Sequence, residues 1–197
     1  MKSVFTLFLF FVLTITSIAQ NNTDKNEHLT FKGVPIDGTL NEYVNKMKNS
    51  GFTLIGIEDG LAMLEGDFAG YKNCIIGVST LKGFDLVNKI AVIFPEKETW
   101  SSLSSNYYNL KELLTEKYGE PSENIEKFDT YSEPSDDEDR MFEVQSDNCK
   151  YYTTFELENG GIQVSIDHQG FSSCFVKLIY FDKINSEKIR QKAIDDL

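Results

Sequence analysis

The strongest constraint on the fold is a change in the period of hydrophobicity along the chain. Apolar residues alternate with polar ones over residues 52–94 and again over residues 151–181. A period of two places successive side chains on opposite faces of a pleated strand. Turn residues break both stretches, at Asp59-Gly60 and at Asn159-Gly160, as expected for hairpins. The pattern predicts antiparallel sheet packed on helices through one face, with its other face open.

Two segments carry a helical period instead. Thr39 and Glu42 match a capping box, and the apolar stripe that follows ends at Gly51. A second stripe covers residues 100–118, and Gly119 follows it as a stop signal. A charged terminal helix is predicted over residues 185–197. Strands are predicted at residues 29–33, 52–57, 61–68, 71–81, 87–94, 124–128, 151–157, 162–168 and 175–181.

The order of these elements repeats. A helix precedes antiparallel strands in residues 29–95 and again in residues 96–197, and an acidic loop at residues 130–147 lengthens the second unit. We therefore predict an α+β fold in which two helix-then-antiparallel-sheet units, related by duplication, form a two-layer sandwich.

The N-terminus has the organisation of a cleavable signal peptide. Lys2 precedes an apolar run at residues 4–15, and Ser17 and Ala19 provide a small-x-small cleavage site. The run is shorter than the roughly 20 residues of a membrane-spanning helix. We expect cleavage after Ala19, a flexible leader at residues 20–28 with a disordered His28, and a single domain at residues 29–197. This places the protein in the periplasm or outside the cell, with no membrane span after cleavage.

Charge narrows the range of partners. The chain has a formal net charge of −12, and removal of residues 1–19 takes away one lysine and leaves −13. A field of that sign repels nucleic acid and anionic lipid headgroups. Neutral ligands, cations, sugars and basic protein surfaces remain, and we expect a protein or carbohydrate partner in the cell envelope.

Three cysteines allow one disulfide in an oxidising compartment. Cys149 and Cys174 are the preferred pair, and the alternative is three buried free thiols that include Cys74. Their spacing is not that of a zinc site or a redox Cys-x-x-Cys motif.

No catalytic or cofactor motif stands out. The run Asp136-Asp137-Glu138-Asp139 lacks the alternation of a calcium loop and is expected to be a solvated loop. His168 follows Asp167 in a strand, so the two side chains point to opposite faces. We expect no metal and no cofactor. A small hydrolase that uses Asp167, His168 or a carboxylate pair is kept as an alternative.

The candidate binding site lies on the open face of the sheet. Tyr152 and Thr154 share one strand face, Gln163 and Ser165 share another, and the Asn159-Gly160 turn brings the two strands together. Tyrosine provides contact area at small entropic cost. We expect a non-enzymatic binding module, with a structural role in an envelope assembly as the alternative.

The segment Phe31-Lys32-Gly33-Val34-Pro35-Ile36-Asp37-Gly38-Thr39 resembles the opening of small exported proteins of unknown function from gut-type Gram-negative bacteria. The resemblance implies export and a similar fold, and it transfers no functional residue. The tandem plan of helix and sheet also looks like the β-lactamase-inhibitor-protein and SmpA/OmlA fold group. That likeness implies, by analogy, binding through a sheet face.

Overall fold

The computed structural model describes residues 27–81, 84–170, 173–195 and 197. The predicted signal peptide and residues 20–26 of the leader lie outside the described residues, as do residues 82 and 83 of the second hairpin turn. In the described part the chain forms these elements in order: β1 Thr30–Phe31, β2 Val34–Pro35, α1 Leu40–Asn49, β3 Thr53–Glu58, β4 Leu61–Phe68, β5 Tyr71–Thr80, β6 Val87–Ile93, α2 Trp100–Tyr118, β7 Glu123–Phe128, α3 Asp137–Gln145, β8 Cys149–Leu157, β9 Gly160–Gln169, β10 Ser173–Asp182 and α4 Lys183–Asp195.

Eight strands form one antiparallel sheet in the order β3-β4-β5-β6-β10-β9-β8-β7. Strands β6 and β10 meet at its centre, where Ala91 pairs with Ile179. Strands β1 and β2 form a separate two-stranded sheet, in place of the single strand predicted at residues 29–33. The α+β class is confirmed.

The helix starts follow from local chemistry. Thr39 accepts a hydrogen bond from the Glu42 amide, and the Glu42 carboxylate accepts from the Thr39 amide, so the capping box of α1 is confirmed. Gly51 follows α1 with φ of 94°, a conformation that favours glycine. The second helix, α2, has the predicted bounds and is capped by the Thr99 hydroxyl.

One face of the large sheet carries the core. Alternate strand residues on this covered face are fully buried, and α1 and α2 contribute the opposing apolar side chains. The central buried residues are Leu64, Ile76, Val78, Ile90, Val92, Val164 and Leu178 from the strands and Tyr43, Met47, Leu103 and Leu110 from the helices. Full burial of one such side chain contributes roughly 1.5–3 kcal/mol.

His28 is held in place, so its assignment to a disordered leader was wrong. Its Nδ1 lies 3.1 Å from Oδ1 of Asp182, a carboxylate with no solvent exposure. Asp182 also accepts from the Leu29 and Asn185 amides, at 2.9 and 2.8 Å. The Asn185 side chain donates in turn to the carbonyls of Ile36 and Val87. Burial of the Asp182 carboxylate thus depends on this network, which fixes the start of the domain to β10 and α4.

The acidic segment predicted as a loop contains a helix. Asp136 caps α3 by accepting from the Asp139 amide at 2.9 Å. Carboxylates in a first helical turn interact favourably with the helix dipole, which offsets their mutual repulsion. Met141 and Val144, three residues apart, are buried against the core. The like charges of the acidic run predict an extended loop, but the cap at Asp136 and the burial of Met141 and Val144 favour a helix.

The predicted Cys149–Cys174 disulfide is not formed in this structure. Both thiols are free, as is that of Cys74. Cys149 lies in β8 and Cys174 in β10, and β9 runs between them. Two strand spacings separate the Cα atoms by roughly 9.5 Å, whereas a disulfide needs less than about 7 Å. The sequence pattern placed both cysteines on the core face but could not show the intervening strand.

In the described ranges, no helix combines the length and the apolar character required to span a membrane.

Candidate functional site

The uncovered face of the sheet, here called the open face, is organised by strand register into rows that cross all eight strands. Each residue of a row is the direct cross-strand partner of the next, so their side chains are neighbours. Row one consists of Gly56, Met63, Gly77, Ala91, Ile179, Gln163, Thr154 and Glu123. Row two consists of Thr53, Glu65, Ile75, Ile93, Lys177, Ser165, Tyr152 and Ile125.

The part of the open face built on β4, β5, β6 and β10 is mainly apolar, and we call it the apolar half. Its charged residues are Glu65, Lys89 and Lys177, and its apolar side chains are Leu61, Met63, Ile75, Ala91, Ile93, Ile179 and Phe181. Leu61 and Phe181 are 40% and 42% exposed, and the others are partly exposed. A Cβ built on Gly77 would lie 3.5 Å from Cδ1 of Leu61 and 3.8 Å from the sulfur of Met63. Those side chains therefore lean over Gly77 and form a continuous surface.

The part built on β9, β8 and β7 is polar, and we call it the polar half. It contains the four predicted binding residues as two cross-strand pairs, Tyr152 with Ser165 and Thr154 with Gln163. Gln163 donates to the Thr154 hydroxyl at 3.0 Å, and Tyr152 donates to Glu123 at 3.2 Å. Partial desolvation, together with the bond to Glu123, raises the pKa of Tyr152. The four predicted binding residues thus present neutral hydroxyl and amide groups, and charged residues such as Glu123, Lys150 and Glu156 lie beside them on the same strands.

An ion pair marks the boundary between the two halves. Lys177 of β10 donates to Asp167 of β9, and each side chain is about one third exposed. Phe175 is the direct cross-strand partner of Asp167 and is buried, with 7% exposure. Asp167 is therefore engaged with Lys177 on the open face.

The open face is close to neutral although the chain is strongly acidic. Register places four lysines and five carboxylates on it: Lys89, Lys127, Lys150, Lys177, Glu58, Glu65, Glu123, Glu156 and Asp167. The remaining negative charge therefore belongs to other parts of the molecule. A neutral, partly apolar face fits a surface that loses water on contact better than a site that collects ions.

His168 is held on the covered side and not beside Asp167. Its Nδ1 lies 2.8 Å from the Gly170 carbonyl, and its Nε2 lies 2.9 Å from Oδ1 of Asp147. The carbonyl and the Asp147 carboxylate both favour the protonated ring and raise the pKa of His168. Because an acceptor lies within hydrogen-bond distance of each ring nitrogen, His168 is poorly placed to accept a proton from a nucleophile.

The thiols have little nucleophilic character. Burial raises the pKa of Cys74 to about 11 and that of Cys149 to about 12, and burial also raises the pKa of Cys174. A thiol with such a pKa carries almost no thiolate at neutral pH.

Within the described residues, no group of three or more histidine, cysteine or carboxylate side chains is arranged to hold a metal ion. In the acidic run, Asp136 accepts from the Asp139 amide and Asp137 accepts from the Ser101 amide and hydroxyl. These carboxylates are used to begin α3 and to join it to α2.

The sequence interpretation missed the apolar half. The signal was present, because Met63, Ile75, Ala91, Ile93 and Ile179 occupy the alternate positions opposite the core residues of their strands. Both faces of these central strands are apolar, so alternation alone did not show which set was uncovered.

Comparison with protein-family models, with curated proteins and with solved structures finds no match for this chain.

Proposed function

We propose that the protein is an exported, non-enzymatic binding module that docks a protein of the cell envelope on the open face of its sheet. The observation that carries this proposal is the apolar half. It is a continuous row of partly exposed side chains across four strands, bordered by neutral hydrogen-bonding groups. An apolar centre beside a polar rim is the usual anatomy of a protein–protein interface.

A protein partner fits this surface better than a carbohydrate does. Sugar sites rely on flat aromatic rings beside polar groups. Here β9 lies between Tyr152 and Phe181, which also belong to different cross-strand rows, and Phe175 is buried. Aliphatic side chains such as Ile93 and Ile179 instead gain from excluding water against another apolar surface.

The arrangement of the chain supports the same proposal. A helix precedes strands β3–β6 and another precedes strands β7–β10, with β6 beside β10 at the centre. We infer that the halves are duplicated helix-then-sheet units forming a two-layer sandwich, as in the fold group whose tandem plan the order of elements resembles. Such a pairing leaves a single wide face on which both units contribute to one docking surface.

The proposal is tested by comparing binding by matched variants. Ile179→Glu places a carboxylate on the apolar half between Lys177 and Lys89. The charges of these lysines limit the loss of folding stability that the carboxylate causes in the unbound protein. Leu113→Glu makes the same kind of change on α2, where Leu113 is 50% exposed. The tagged protein is used to capture partners from envelope fractions, and its melting temperature is measured in parallel.

We expect one partner to be captured by wild type and by Leu113→Glu and to be lost with Ile179→Glu at unchanged melting temperature. Tyr152→Ala combined with Gln163→Ala should weaken capture without abolishing it, because those residues lie at the polar edge. Equal capture by all variants would place the binding surface elsewhere.

A further inference from the structure

The apolar half of the open face has matching side chains on its two sides. Its strands lie in the order β4-β5-β6-β10, so β5 and β6 form its middle and β4 and β10 form its flanks. Along each cross-strand row, apolar residues at equal distances from the middle are alike in character. These matching pairs are Leu61 and Phe181, Met63 and Ile179, Gly77 and Ala91, and Ile75 and Ile93. A surface of this kind can pack against a copy of itself.

The charges on the two flanks are opposite in sign. In row two, Glu65 of β4 and Lys177 of β10 lie at equal distances from the middle, on either side of Ile75 and Ile93. Glu65 is exposed and Lys177 is partly exposed. Lys177 already donates to Asp167, but an ammonium group has three N–H donors and can bind a second carboxylate. Each flank can therefore bind the opposite flank of a second copy.

We propose that the protein docked on the open face is a second copy of this chain, packed face to face with the first, an inference that rests on the proposed function. A two-fold axis parallel to the strands, between β5 and β6, places β4 of each copy on β10 of the other. Leu61 then faces the second copy's Phe181, and Glu65 faces the second copy's Lys177. Each contact occurs twice because of the symmetry. The two sheets lie about 10 Å apart, the usual spacing of packed sheets.

A two-fold axis at right angles to the strands would give a poorer contact. It would place row two over the row that contains Leu61, Lys89 and Phe181. Glu65 would then face Leu61, and Lys177 would face Phe181, which takes both charges out of water without a partner across the interface. The axis parallel to the strands avoids this cost and pairs the two charges.

Two features of the open face allow the parallel arrangement. Leu61 and Met63 lean over Gly77, so the glycine leaves no hollow at the centre. On β3, no atom lies within 4 Å of a Cβ built on Gly56, and the second copy's Gln163 lies opposite this open space. The six strands from β3 to β9 in the sheet cover roughly 29 by 17 Å, or about 500 Å² on each copy. Contacts of this size are at the lower end for specific interfaces, so we expect a reversible dimer.

The charge of the open face favours a second copy over a basic partner. The chain has a formal net charge of −12, so two copies repel each other. The open face carries four lysines and five carboxylates, and the repulsion is therefore smallest when the copies meet there. A face that bound a basic protein would instead be rich in carboxylates.

Sedimentation equilibrium of the purified protein over a range of concentrations tests this inference. We expect a reversible dimer that Ile179→Glu weakens by about tenfold or more, because the carboxylate would face the second copy's Met63. Leu113→Glu, an exposed position on α2, should leave the dimer unchanged. Melting temperatures measured in parallel establish that both variants are folded.

A charge exchange gives the more specific result. Glu65→Lys and Lys177→Glu should each weaken dimerisation by about fivefold, since each sets like charges against each other across the axis. Mixing the two variants should restore dimerisation, because a mixed dimer has opposite charges at both contacts between positions 65 and 177.

A protein that is monomeric at every concentration would overturn the inference, as would a dimer that Ile179→Glu leaves intact. The proposed function has a separate outcome. If the protein is monomeric but captures another envelope protein, and Ile179→Glu abolishes that capture, the open face binds a different partner. If Ile179→Glu changes neither dimerisation nor capture, both proposals are wrong.

Discussion

The covered and open faces of the sheet are made by the same strands, yet one is buried under the helices and the other is uncovered. In β9, Val164 is fully buried under the helices, and Ser165, the next residue, sits on the open face between Tyr152 and Lys177. The side chains of the covered face are closely packed, so that a substitution there disturbs its neighbours, as in other protein interiors. The open face keeps an apolar half uncovered beside a polar half. The comparison shows that adjacent residues of one strand can belong to the buried core on one face and, on the other, to the surface proposed for binding.

The largest expected effect comes from placing the same charge on each face of β9. Val164→Asp buries an unpaired carboxylate and should lower the free energy of unfolding by about 4 kcal/mol or more. Ser165→Asp, beside Lys177, should change it by less than about 1 kcal/mol. Urea unfolding of both variants measures the difference. Similar losses for the two would mean that the open face is also covered.

The second effect concerns the buried carboxylate of Asp182 at the end of β10. Asp182→Ala leaves the amides of Leu29 and Asn185 and the His28 ring without their acceptor. We expect a loss of about 3 kcal/mol in urea unfolding. Asp37→Ala is the control, because the Asp37 side chain is 42% exposed although it contacts His28 at 3.5 Å. If the control costs as much as Asp182→Ala, burial is not the cause.

A third pair of variants compares tyrosine hydroxyls on the two faces. The Tyr107 hydroxyl lies 2.6 Å from that of Thr153 on the covered face, and Tyr152 donates to Glu123 on the open face. Tyr107→Phe should lower the free energy of unfolding by about 1 kcal/mol. Tyr152→Phe should leave it nearly unchanged, since water replaces the lost partner. An equal effect in thermal unfolding would contradict this assignment of faces.

The smallest effect is a pH dependence at the edge of the covered face. The Gly170 carbonyl and Asp147 raise the pKa of His168 above its ordinary value of 6.5. A raised pKa in the folded state stabilises the fold fully below the unfolded value, and this is lost as the pH rises through the folded value.

Asp147→Asn should therefore cost more at pH 6 than at pH 9, by less than about 1 kcal/mol because Asp147 is 89% exposed. Urea unfolding of both proteins at the two pH values gives the comparison. A cost that is the same at both values would show that the ion pair does not contribute.

The elements with strong local signals could be predicted from the sequence. The capping box at Thr39 sets the start of α1, and the apolar stripe of residues 100–118 defined α2 to the residue. The Asp59-Gly60 turn places both residues at positive φ, which fixes the register of β3 on β4. The four predicted binding residues are neighbours because β8 and β9 form the predicted hairpin, but its two turn residues are Glu158 and Asn159, and Gly160 begins β9, so the pairing differs from that of the expected Asn159-Gly160 turn.

What could not be predicted depends on contacts between distant segments. His28 and Asp182 are 154 residues apart, and only the folded chain brings them together. The order of β8, β9 and β10 across the sheet separates Cys149 from Cys174, and a period of two carries no information about that order. The apolar half could not be predicted for the same reason. Its residues come from four strands and form one surface only because β6 lies beside β10 in the sheet.

Site-specific photo-crosslinking in the intact cell envelope tests the central claim most directly. A photoreactive amino acid is placed at Ile93 or Met63 on the apolar half and, as a control, at Leu113 or Tyr108 on α2. We predict that both open-face positions give a crosslink to the same partner and that neither α2 position does. Crosslinks to that partner from the α2 positions alone would contradict the claim that the open face is the binding surface.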